Sequence, residues 1–222
     1  MKKFGVATLL SFNGGFVDTM GFLGLQGLFT AHVTGNFVTL GAALALGTAG
    51  VIAKLVALPE FILVIALARL AGTAMRAHGL PALRILLCFK VAFLIAFLVL
   101  AVTLGPFANS DSPTALLTGF AGIAAMAVQN ATQRVHFPHI PPTTLMTGNT
   151  TQAVLDAVDL LQGVAPEQAA VVRARFYRML RGILSFAAGC AAAATLYAWI
   201  GFYGLMVPVV VGAASAIMSL QD

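Results

Sequence analysis

Apolar residues run through this chain in long blocks separated by short polar breaks. A helix needs about 20 apolar residues to cross the hydrocarbon core of a bilayer. Six segments meet that length: residues 4–25, 57–77, 84–105, 113–133, 179–200 and 203–220. Two shorter segments, 35–50 and 147–162, lie between the first and second and between the fourth and fifth. The later one carries Asp156 and Asp159, and two carboxylates at the bilayer centre are expensive. The pattern predicts an all-α polytopic membrane protein. It forms a single membrane domain over residues 1–222, with about six transmembrane helices and two re-entrant half-helices.

Composition agrees. Of 222 residues, 60% are hydrophobic and 9% are charged, where a soluble domain carries about 25% charged residues. That excludes a disordered chain, a collagenous chain and an ordinary cytosolic enzyme. The net charge of +5 is spread among apolar spans, with no clustered basic and aromatic array, so nucleic acid is not an expected partner. Cys88 and Cys190 both lie in apolar runs and read as packed thiols. A disulfide between them stays open. No Cys/His ligand spacing occurs, so neither a metal nor a cofactor is expected. Lys2 and Lys3 before Phe4–Leu10 imitate a signal peptide, but no A-x-A cleavage pattern follows and apolar character resumes at Phe16, so an uncleaved span is expected.

The cations choose between six and eight crossings. If the two short segments do not cross, nine Lys and Arg fall on the side of the N-terminus and Lys54 alone on the other. If both cross, the balance is seven against three. Positive-inside bias favours six spans, with both termini cytoplasmic in a bacterial inner membrane. Arg69 and Lys90 sit within spans, near enough to their inner ends to snorkel.

The sequence repeats. AHVTGNFVTLGAAL (residues 31–44) and TLMTGNTTQAVLDA (144–157) each place Thr-Gly-Asn at the start of a helical stretch, 113 residues apart. GGFVDTMGF (14–22) precedes the first as AMAVQNATQ (125–133) precedes the second, which sets Asp18 against Asn130. The repeats cover about 4–105 and 113–220. Three crossings separate the motifs, so the second half is expected to be inverted, the plan of many secondary transporters.

Thr34, Gly35, Asn36 and Thr147, Gly148, Asn149 offer an N-cap hydroxyl, a bare backbone and an amide at two helix starts. Helix starts have free N–H groups and a positive dipole end. Facing one another, they would cradle a small anion or polar solute. The plainer reading is that the motifs only cap and pack two short helices. Asp18 lies deep in the first span, where a carboxylate marks an ion or proton path unless it is neutral or paired. Glu60 follows Pro59 and reads as an interfacial charge. Gln129, Asn130 and Gln133 line the same cavity or bond between helices. His32 is a candidate gate that titrates near neutral pH. His136 and His139 lack ligand partners. Arg173, Arg175, Arg178 and Arg181 suit an inner surface on anionic lipid.

On GGFVDTMGFLGL, the paired HVTGN and LMTGN, and GIAAMAVQNATQ, the chain resembles the YoaK family of bacterial membrane proteins. The resemblance covers nearly the whole chain and implies a small six-span membrane protein without a settled function. The doubled strand and half-helix also looks like the substrate site of nucleobase and sulfate permeases, which have about twice as many spans.

The expected function is a half-sized secondary transporter, with a homodimer plausible for so small a body. The site would comprise Thr34, Gly35, Asn36, Thr147, Gly148, Asn149, Gln129 and Asn130. Asp18 and His32 would handle a proton or orient the site. A channel using the same pore, a ligand-free assembly protein and an intramembrane enzyme are the alternatives. No catalytic set of residue types supports the last.

Overall fold

The computed structural model describes residues 2–219, with side chains from Gly5 onward; the Lys2 and Lys3 side chains and the C-terminal residues 220–222 counted in the topology lie outside that range. Eight α-helices follow one another among the described residues. They are α1 (Lys2–Gly24), α2 (Gly35–Leu46), α3 (Val51–Ala77), α4 (Ala82–Leu104), α5 (Pro113–His136), α6 (Met146–Gln162), α7 (Pro166–Ile200) and α8 (Met206–Met218), with a 3₁₀ turn at Gly201–Leu205. The protein is an all-helical polytopic membrane protein. Four stretches are long and apolar enough to cross a bilayer: Val51–Ala77, Ala82–Leu104, Pro113–His136 and Pro166–Met218. The more polar α1 is a central helix, with Asn13, Phe16, Val17 and Met20 all fully buried.

Two helices are longer than apolar length alone predicts. Asp111 accepts from the backbone N–H groups of Gly50 and Ala53, each at 2.9 Å. It caps α3 six residues before the expected start. An acid at a helix N-terminus satisfies free donors and complements the dipole. At the other extreme, α7 begins thirteen residues early, at Pro166, because a helix leaving the bilayer keeps its hydrogen bonds while its residues turn polar.

The direction of each helix follows from which ends meet. At one end of the bundle the Phe107 and Phe202 rings stack edge-on at 5.8 Å. Gln26 donates there to the Ala108 carbonyl at 2.7 Å. The end of α1, the turn between α4 and α5, and the turn between α7 and α8 therefore lie together. At the other end Val6, Leu10 and Phe137 form a cluster with Leu83, Ile140 and Met218. So α1, α4 and α7 run one way and α3, α5 and α8 the other. The α2 and α6 segments each return the chain to the end from which it came.

Helices α1, α4, α5 and α8 form the centre, α3 packs on α5, and α7 packs on α1. The α2 and α6 helices lie against α3 and α7 respectively. Exchanging α1–α4 for α5–α8 turns each of these pairings into another. Lipid is as apolar as leucine, so close packing of small residues binds such helices more than burial does. At the α1–α7 crossing, a Cβ at Gly15 would strike the Phe186 backbone, and one at Gly189 the Phe12 backbone. Cys88 and Cys190 are both free thiols.

Candidate functional site

Each half breaks its chain between a long helix and a short one, and side chains of the long helix hold the break. After α1, Asp18 Oδ1 accepts from the backbone N–H groups of Thr30, Ala31 and His32 at 2.8, 2.7 and 3.2 Å. After α5, Asn130 Oδ1 accepts from the Thr144 hydroxyl at 2.7 Å. Gln129 donates to Thr143 Oγ1 at 3.2 Å, and Gln133 donates to the Ile140 carbonyl at 2.8 Å. Non-helical backbone at membrane depth must find its partners within the protein, and these groups are those partners.

The motif asparagines do parallel work. Asn36 donates from Nδ2 to the Phe29 carbonyl at 2.9 Å and accepts the Phe29 N–H at 2.8 Å. Asn149 Nδ2 donates to the Pro142 carbonyl at 2.9 Å. Both reach seven residues back. The threonines do not act as the expected caps. Thr34 stands at the N-cap of α2 in helical geometry without a side-chain cap bond, and Thr147 lies inside α6, whose N-cap is Leu145. The asparagine amides tie down the lead-in instead.

Two cavities open beside these breaks. The larger, about 660 Å³, is bordered by His32 and by Thr147, Gly148 and Asn149. The smaller, about 340 Å³, is bordered by Thr34, Asn130, Arg69 and Arg134. Thr144 and Leu145 border both. Six of the residues singled out from sequence thus face open space. Gly35, Asn36, Gln129 and Asp18 do not border either cavity. Asn36, Gln129 and Asp18 are buried supports, and a Cβ at Gly35 would press on the Phe29 ring at 3.0 Å. At Gly148, by contrast, nothing lies within 4 Å of an added Cβ.

Arg69 and Arg134 border the smaller cavity, although hydropathy reads Arg134 as a topology signal and Arg69 as a snorkelling span residue. The signal for Arg134 was its spacing of four from Asn130, which places both on one face of α5. Lys90 departs further from expectation. It does not snorkel: its side chain is fully buried and Nζ has no hydrogen-bond partner. Glu60 also lies deeper than an interfacial charge, roughly 13 Å along α3, with Oε2 buried and unpartnered.

The α6 acid predicted to be costly is paired. Asp156 is fully buried and meets Arg175 of α7 at 2.6 Å. Gln152 donates to the same carboxylate at 2.8 Å. The Arg175 guanidinium, helped by Gln152, holds the Asp156 carboxyl below the usual carboxylate range.

A family model described as a protein of unknown function (DUF1275) matches residues 6–218. No curated protein matches the chain, and no solved structure does.

Proposed function

The chain belongs to the DUF1275 family, and we propose that it is a small secondary transporter for a small anion. One observation carries this reading. The two cavities beside the duplicated Thr-Gly-Asn helices share the Thr144–Leu145 wall, and Arg69 and Arg134 border the smaller one. Guanidinium groups favour anions through charge and a planar fork of donors. The N-terminal turn of α6 adds N–H groups of the same sign, whereas those of Gly35, Asn36 and Phe37 in α2 are taken by the His32, Val33 and Thr34 carbonyls. Thr34 and Thr147 border the two cavities and add hydroxyls that orient a polyatomic anion, while the Asn130 and Asn149 amides hold the backbone around them.

In this reading the two halves form an inverted repeat of three crossings each, consistent with the resemblance to YoaK proteins. Alternating access would be rocking of one half against the other around a fixed site. Asp18 is then a positioning residue for the 30–32 backbone. His32, at the cavity edge, is the group that could carry a proton. The end of the bundle at which α1 begins, with Arg76, Arg84 and Arg134 at the adjoining helix ends, would face the cytoplasm of a bacterial inner membrane.

The test begins with a thermal-shift screen of purified protein against sulfate, nitrate, bicarbonate, nucleobases and amino acids. Uptake of the stabilising solute is then measured in proteoliposomes for wild type, Gly148→Leu and Arg134→Gln. Loss of uptake with retained folding supports the site. Unchanged uptake in both variants overturns it. Stabilisation by neutral solutes alone overturns the choice of an anion.

A further inference from the structure

A third cavity, of about 260 Å³, lies apart from the motif cavities, between α1, the lead-in to α6 and α7. Ser11, Tyr177, Arg178 and Arg181 border it, together with Pro141 and Pro142. Its charged groups are both donors, the guanidiniums of Arg178 and Arg181. Proline has no N–H, and the Pro142 carbonyl is taken by Asn149. The neighbouring Ile140 carbonyl is taken by Gln133. The nearby acid, Asp156, is committed to Arg175. Arg178 acts on Asp156 through space, but neither Arg178 nor Arg181 forms an ion pair among the described residues. No acid borders the cavity, and Ser11 beneath them is 3% exposed.

The depth of the cavity points to the source of its ligand. The α7 helix has 35 residues, well beyond the about 20 that cross the hydrocarbon core. Counting 20 residues back from Ile200, where α7 ends beside the Phe107–Phe202 stack, brings the membrane boundary to Arg181. Arg178 is one turn beyond it, and the exposed Tyr177 ring sits at the level where interfacial tyrosines collect. The two guanidiniums therefore stand at headgroup height, over a pocket of about 260 Å³.

We propose that this cavity is a binding site for the phosphate group of an anionic phospholipid headgroup. Arg178 and Arg181 clamp the phosphate oxygens by charge-assisted hydrogen bonds, and the hydroxyls of Ser11 and Tyr177 complete the donor set. Pro142 also borders the larger motif cavity, so a bound headgroup braces the backbone that leads into α6. The site does not depend on the transport reading.

The experiment titrates detergent-purified, full-length protein with short-chain phosphatidylglycerol, phosphatidylcholine and inorganic phosphate, following bound lipid by native mass spectrometry and melting by thermal shift. Wild type is expected to bind phosphatidylglycerol saturably and in preference to the other two. The Arg178→Gln, Arg181→Gln double variant is expected to bind it about tenfold more weakly or worse, as two basic groups at an anionic surface predict. Arg173→Gln, an exposed α7 variant outside the cavity, is expected to bind as wild type does. An equal loss in Arg173→Gln would reduce the effect to general surface charge and overturn the site. Equal binding of phosphatidylcholine would do the same. Inorganic phosphate binding as tightly as phosphatidylglycerol would overturn the lipid as its source.

Discussion

Asn36 holds Phe29 by both ends of its backbone unit, donating to the carbonyl at 2.9 Å and accepting the N–H at 2.8 Å. The match of an amide to a peptide group explains why position 36 takes Asn and not Asp. Aspartate can accept the N–H but repels the carbonyl. Asn36→Asp and Asn36→Ala are both expected to destabilise the protein by about 1–3 kcal/mol, because buried groups lose their partners. Thermal melting in detergent checks this. A melting temperature unchanged in both would show that the clasp contributes nothing to stability.

Asp18 separates support from proton transfer. Asparagine retains an acceptor oxygen for the Thr30, Ala31 and His32 N–H groups, whereas leucine leaves all three unsatisfied. Asp18→Asn is expected to fold and melt near wild type, and Asp18→Leu to lose about 2 kcal/mol or more. If proton-coupled uptake survives in Asp18→Asn, the residue positions backbone. Its selective loss in a well-folded Asp18→Asn would return the coupling role to Asp18.

Lys90 lies fully buried on α4 with an unpartnered ammonium nitrogen. A lone buried charge is unfavourable, and methionine fills a similar volume without it. Lys90→Met is therefore expected to melt at or above the wild-type temperature. A marked fall would mean that the nitrogen has a partner, such as bound water or an ion.

The Asp156–Arg175 pair makes a pH-dependent contribution. The folded carboxyl titrates below its unfolded value of about 3.9, so its stabilisation is complete above that value. It is lost as pH falls through the depressed folded pKa. At neutral pH, Arg175→Gln is expected to cost about 1–3 kcal/mol, less than a fully enclosed pair, since Arg175 is partly solvated. The gap between variant and wild type should close once the pH is well below 4. Melting curves from pH 7 downward test the sign.

Gly35 and Gly148 occupy equivalent motif positions but meet different surroundings. A side chain at Gly35 presses on Phe29, while one at Gly148 enters open space. Gly35→Leu is expected to lower the melting temperature. Gly148→Leu is expected to leave it unchanged and to block solute access. Similar melting losses in the two would place Gly148 in packed surroundings.

Much of the architecture was readable because lipid imposes a length rule on apolar runs, and the long helices fall where those runs fall. The doubled Thr-Gly-Asn and the pairing of Asp18 with Asn130 were legible as order and spacing. They correspond in space to matched ties on the two chain breaks. Helix ends were less legible. Asp111 caps α3 from 58 residues away from Ala53, a relation without a local signature.

Residue type and spacing were enough for the membrane class, the helical fold and the location of the breaks, because backbone satisfaction in lipid leaves few alternatives. What each polar side chain does depended on its neighbours from distant sequence. Asp18 turned out to hold backbone, Asp156 to hold Arg175, Lys90 to lie in the core, and Arg69 and Arg134 to border a cavity. Hydropathy assigns each residue a cost in isolation. The packed chain decides whether a partner offsets that cost, and partners are set by helix crossings that no local window contains.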